Sequence, residues 1–140
     1  MRWRSRRTYR SAIALILVFV TILGLASKAY QGRFDGWINN YGGGVLYEIF
    51  WILLVVLIVP AANPIWVSLA VFLVTCGLEV LQLWNPPLLA AIRSTLVGRL
   101  LLGTTFVWWD FPHYLLGCVL GWGIVRALQR RLLPARSREL

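Results

Sequence analysis

Glu79 and Gln82 lie three residues apart in "CGLEVLQLW", so a helix places the carboxylate and the amide on one face. Ser68, Thr75, Glu79 and Gln82 follow spacings of 7, 4 and 3, a single polar stripe at the helical period. Asp110 and Tyr114 are four apart, and Gly117 and Gly121 continue the same phase. Small residues at that spacing let two helices approach closely, which aims Asp110 and Tyr114 at a bundle interior. Glu48 sits in another apolar run, and Arg93 and Arg99 are the nearest cations in the following segment. Carboxylates of this kind can orient a guanidinium, and a guanidinium's planar fork can hold an anionic group such as phosphate. Glu79, Gln82, Arg93, Arg99, Asp110, Tyr114 and Glu48 are therefore the candidate ligand-binding residues, with Gln82 and Tyr114 supplying neutral hydrogen bonds.

Two other readings use the same residues. Glu79, Gln82 and Arg93 can form a structural clasp that holds the arginine-bearing segment down. Alternatively, Glu79 or Asp110 with His113 can carry acid–base chemistry, which requires His113 within hydrogen-bond reach of a carboxylate. The balance leans away from an enzyme, because His113 fits a capping or interfacial place better. Cys76 and Cys118 fall in apolar helices without metal-ligand spacing and read as packing residues, so neither a metal nor a cofactor is expected.

The elements that must position these groups are membrane helices. Of the 140 residues, 59% are hydrophobic and only 14% charged, well outside the balance of a soluble domain. Runs of about 17 to 25 apolar residues suit a membrane span. The spacing predicts spans over about 11–27, 44–59, 65–84 and 110–128 in a single all-α membrane domain. "KAYQGRFDGWINNYGG" reads as a polar loop and "PAANP" as a tight turn. Asp110 reads as the N-cap of the last helix. The first run also has a passable cleavage site at Gly24-Leu25-Ala26; an uncleaved helix is preferred over a signal peptide.

Net charge is +9, carried by arginines at the two ends: Arg2, Arg4, Arg6, Arg7 and Arg10, then Arg126, Arg130, Arg131, Arg136 and Arg138, offset by Glu139. Basic flanks on apolar helices follow the positive-inside pattern, so both termini are expected in the cytoplasm and no nucleic-acid role is read into them. A fifth span over residues 85–109 would put the basic C-terminus outside. Residues of about 86–107 are therefore read as a re-entrant or interfacial segment between helices 3 and 4. By a rise of about 1.5 Å per residue, Glu79 lies about 21 Å up a core about 30 Å thick. Glu48 and Tyr114 each enter about 6 Å from the same side, in the same layer.

The pattern from "YGGGVLYEIFW" through Glu79-x-x-Gln82, Arg93, "LLLGTTFVWWD" and Asp110-x-x-x-Tyr114-x-x-Gly117-x-x-x-Gly121 resembles an uncharacterised bacterial membrane family, domain-of-unknown-function family 2809. More distantly it is similar to VanZ-like membrane proteins, whose pattern has asparagine where this chain has Tyr114 and a shorter gap between the arginine and the aspartate. The closer resemblance implies no activity; the distant one implies a link to the cell envelope. The resulting expectation is a multi-pass protein of the bacterial cytoplasmic membrane with an outward-facing pocket for an anionic or polar lipid headgroup. The alternative is an accessory subunit of a larger membrane complex, or a homodimer, that uses the Gly117/Gly121 face.

Overall fold

In the computed structural model, residues 2–133 are described, with side chains from residue 5 onward. Arg136, Arg138, Glu139 and the side chains of Arg2 and Arg4 lie outside them. The helices are α1 (Arg2–Ala29), α2 (Asp35–Trp37), α3 (Gly43–Ile58), α4 (Pro64–Leu81), α5 (Pro87–Ser94), α6 (Leu96–Leu102) and α7 (Asp110–Leu132). A π-helical turn, Ile38–Gly42, joins α2 to α3 without a break, so one helical run extends over Asp35–Ile58. No strand occurs among the described residues. Among the described residues four helices are long and apolar enough to cross a membrane: Ser5–Ala29, Asp35–Ile58, Pro64–Leu81 and Asp110–Leu132.

The second span begins earlier than its sequence suggests. "DGWINNYGG" reads as loop because glycine and asparagine disfavour helix interiors. Tertiary contacts override that preference. Lys28 Nζ at the end of α1 donates to the Asn39 carbonyl at 2.7 Å, and Asn39 Nδ2 donates to the Tyr30 carbonyl at 3.0 Å. The turn "PAANP" is as expected. Asn63 Oδ1 caps α4 by accepting from the Ile65 amide at 3.2 Å, with Pro64 at the first helical position.

Between α4 and α7 the chain forms two short helices rather than one. The break falls at Thr95, whose hydroxyl caps α6 by accepting from the Gly98 amide at 3.0 Å. Eight and seven residues give lengths of about 12 and 10 Å, too short to cross a bilayer. Gly98 abuts the Ile92 carbonyl where α6 folds back on α5, leaving no room for a side chain. Gly103 ends α6 at a positive φ of 65°, a conformation that favours glycine.

α3 is the centre of the bundle, packed on α1, α4 and α7. Its Ile49, Ile52, Leu53 and Val56 meet Tyr9, Ile13 and Val20 of α1 and Val125 of α7 in the core. Large apolar side chains also face outward: Leu15, Phe19 and Ile22 on α1, Leu73 and Val74 on α4, Leu115 and Val119 on α7. Exposed apolar surface on α1, α4 and α7 suits lipid as the solvent. Gly117 and Gly121 are buried against α3 of the same chain. A Cβ at Gly117 would lie 2.6 Å from the Val45 carbonyl oxygen, and one at Gly121 2.7 Å from Ile52 Cδ1. The small-residue face is thus used up inside the bundle and does not offer itself to a second copy.

This packing has a measurable consequence. Gly117→Ala is expected to destabilise the detergent-solubilised protein by about 1–3 kcal/mol, the usual cost of overpacking. Gly123→Ala, where nothing lies within 4 Å, is expected to be neutral or slightly stabilising. Thermal unfolding of the pair checks both.

Candidate functional site

Glu79 projects from the last turn of α4 and is 1% exposed. Its Oε1 accepts from the Val107 amide at 2.8 Å. Its Oε2 accepts from Tyr114 Oη at 2.9 Å and from Gln82 Nε2 at 3.1 Å. One carboxylate therefore joins α4, the linker before α7, and α7 itself. The shared stripe of Ser68, Thr75 and Glu79 is buried as its period predicts, and the Tyr114–Glu79 meeting matches the expected depth layer. Gly44 accommodates the Tyr114 ring: a Cβ there would lie 3.2 Å from Tyr114 Cε1.

Arg93 does not reach the carboxylates. Its Nη2 donates to the Leu81 carbonyl at 3.0 Å, and its Nη1 to the Trp84 carbonyl and Asn85 Oδ1, both at 3.1 Å. It is 7% exposed. The guanidinium thus closes the C-terminal end of α4, where unpaired carbonyls and the helix dipole favour a cation. Among the described residues no hydrogen bond or ion pair links Arg93 to Glu79 or Asp110. The expected Glu79–Gln82–Arg93 clasp is corrected accordingly: Arg93 is a clasp, and what it grips is backbone.

Asp110 also differs from expectation. It is the first residue of α7, not its cap, and Trp109 precedes it without a side-chain cap. Its carboxyl is left beside Glu79, with Lys28 and His113 in electrostatic reach. His113 Nδ1 donates to the Trp109 carbonyl at 2.6 Å, and its ring stacks on Tyr41, centroids 4.7 Å apart. It makes no hydrogen bond to a carboxyl among the described residues. Glu48 is fully buried deeper in the bundle and accepts from the Cys118 thiol at 2.9 Å. Among the described residues no donor meets its Oε1 in hydrogen-bond geometry, the adjacent Thr75 hydroxyl donating to the Val71 and Phe72 carbonyls. Cys118 is thus a hydrogen-bond donor as well as a packing residue, and Cys76 and Cys118 are both free. No group of three metal-ligating side chains occurs among the described residues.

These elements enclose a partly open cavity of about 600 Å³ between α1, α3, α4 and the α6–α7 linker. Lys28, Asn39, Gln82, Arg99, Thr104 and Asp110 form polar lining, and Val20, Leu46, Phe50 and Trp51 form apolar lining. Tyr47 Oη donates to the Leu101 carbonyl at 3.0 Å, fixing α6 over α3 as one wall. Glu79, Gln82, Arg99, Asp110 and Tyr114 line this cavity; Arg93 and Glu48 do not. Lys28 and Asn39 are lining residues that the sequence reading placed in a loop. The spacing of Lys28 at the end of the first apolar run was their only signal.

A family model described as a protein of unknown function (DUF2809) matches residues 33–118. The chain belongs to this family. The match covers the helical run from α2 through α3, all of α4 to α6, and the Asp110–Cys118 part of α7, hence most of the cavity. Lys28 lies just outside it. No curated protein and no solved structure matches the chain. The likeness to VanZ-like proteins therefore rests on motif spacing alone.

Glu79→Ala would leave the Val107 amide, the Tyr114 hydroxyl and the Gln82 amide without their acceptor. It is expected to cost at least about 2 kcal/mol, since each buried unmet group costs about 1–3 kcal/mol. Arg93→Lys keeps the charge but loses the fork, and is expected to fall between wild type and Arg93→Ala in thermal unfolding.

Proposed function

We propose that this chain is a bacterial inner-membrane protein, with both termini cytoplasmic, whose outward-facing cavity binds the anionic or polar headgroup of an envelope lipid. The observation that carries the reading is the cavity's polarity. Lys28 and Arg99 bring cations to its lining, and Val20, Leu46, Phe50 and Trp51, deeper along the helices that carry Lys28 and Asn39, bring an apolar wall. Along helices rising about 1.5 Å per residue, Val20 is about 12 Å from Lys28, and Trp51 about 18 Å from Asn39. A ligand filling such a space has a charged head and an apolar tail.

Lys28 and Arg99 replace Arg93 as the anion-binding pair. Lys28 spends one donor on the Asn39 carbonyl. Arg99 is exposed and has no acidic partner among the described residues. Both therefore keep donors for a phosphate. Glu79 shapes the wall through its three bonds. Orientation is supported by Arg6, Arg7, Arg10, Arg126, Arg130 and Arg131 at the helix ends opposite the cavity. α5 and α6 lie in the outer interface in this reading, with Leu88, Leu96, Val97 and Leu100 exposed to lipid.

Native mass spectrometry of gently extracted protein tests this. Wild type is expected to retain a lipid, and Lys28→Ala/Arg99→Ala to lose at least about tenfold of it while staying folded. Arg93→Ala is expected to lower stability first and lipid content only as the fold is lost. A folded wild type without lipid, or a double variant that keeps it, contradicts the reading.

A further inference from the structure

The same cavity carries unmet acceptors opposite its cations. Glu79 is engaged by three donors. Asp110 is not: its carboxyl belongs to the same cavity lining as Glu79, and no hydrogen-bond donor to it occurs among the described residues. Two adjacent carboxyls facing a cavity need a proton or a cation between or before them.

Two amides point the same way. Gln82 Nε2 faces the Glu79 carboxylate, which can only accept when ionised, so the amide orientation is set and Oε1 turns away from it. Asn39 Nδ2 faces the Tyr30 carbonyl, which sets that amide too. The oxygens left over, Gln82 Oε1 and Asn39 Oδ1, belong to cavity-lining side chains and are themselves buried, without a donor among the described residues. An unmet buried acceptor is costly, so the site is incomplete without donors brought from outside.

A phosphate alone would satisfy Lys28 and Arg99 and leave these acceptors unmet. Resting on the headgroup reading above, we propose that the cavity selects a zwitterionic phospholipid whose headgroup ends in a primary ammonium. The phosphate sits against Lys28 and Arg99, and the ammonium donates to Asp110 and, on rotation of the Gln82 side chain, to its carbonyl oxygen. Two cations and two carboxyls in one cavity match a zwitterion better than a net anion. The primary ammonium has three N–H donors, and a quaternary one has none. The apolar wall at Phe50 and Trp51 commits the ligand to a lipid with its chain attached.

Wild-type protein is offered phosphatidylethanolamine, its N-methyl and N,N-dimethyl forms, and phosphatidylcholine, all with the same acyl chains, and retained lipid is measured by native mass spectrometry. Phosphate and net charge are constant along this series; each step replaces one N–H donor by a methyl, and the Asp110→Asn variant separates lost donors from added bulk. Retention is expected to fall stepwise, by about tenfold from first to last, the worth of a charge-assisted hydrogen bond. Asp110→Asn is expected to flatten the series while phosphatidylcholine retention holds. Because the wild-type series stands alone, misfolding of that variant would not remove the test. Equal retention along the series, or a preference for phosphatidylglycerol, overturns the selection while leaving a headgroup site in place. Displacement of the lipid by free phosphoethanolamine at equal concentration overturns the commitment to a lipid. A folded protein that retains no lipid overturns the headgroup reading itself.

Discussion

The Glu79 carboxylate is the point on which the upper half of the bundle depends. A charge in an apolar helix needs compensation, and here it comes from three oriented donors rather than from a cation. Each donor belongs to a different piece of chain: the end of α4, the linker at Val107, and α7 at Tyr114. A single acceptor thus sets the angle at which α7 meets α4 and the path of the linker between α6 and α7. The cavity wall is the surface those constraints leave behind. The chain adds glycines where backbones must come close, at Gly44 under the Tyr114 ring and at Gly117 against α3.

Because Glu79 needs no cation, the cations are distributed by other demands. Arg93 closes the carbonyl end of α4, where its fork meets three acceptors at 3.0–3.1 Å. Lys28 and Arg99 remain at the cavity. A lock and a pocket therefore coexist a few residues apart, built from different arginines. The pocket residues outside the lock are the ones whose loss should alter ligand binding more than stability. The lock accounts for how two helices as short as α5 and α6 stay attached to a bundle they barely pack against. Arg93 at one end and Tyr47 at the other hold them by the backbone.

Much of this was legible in the residue pattern, and the failures have physical causes. The Ser68–Thr75–Glu79 stripe and the Asp110–Tyr114–Gly117–Gly121 stripe follow a 3.6-residue period that burial alone imposes, and both face the interior. Depth counting pairs Tyr114 with Glu79, because helix rise is nearly constant, but misplaces Glu48, which lies about a turn deeper beside Cys118 because its helical run starts at Asp35 rather than Gly44. Arg93 was assigned to a carboxylate because its true partners at Leu81 and Trp84 are carbonyls, which any residue supplies and no letter marks. The helical stretch from Asp35 to Gly42 reads as loop by local preference, and only contacts such as Lys28 to Asn39 support it. Lys28 and Asn39 were missed as site residues for the same reason: a loop has no face. The Gly117/Gly121 stripe was identified, but spacing cannot say whose helix fills it, and α3 of the same chain does.

The most direct measurement is an experimental structure of the protein in phosphatidylethanolamine-containing nanodiscs, at a resolution that shows side chains. The expected result is elongated density in the cavity, its head between Lys28 and Arg99 and its tail along Phe50 and Trp51, with Glu79 still holding Val107, Tyr114 and Gln82. The contradicting result is a cavity closed by Lys28 and Arg99 themselves, folded inward to form ion pairs with Asp110 and Glu79. In that case the polar layer is a lock throughout and no ligand site exists.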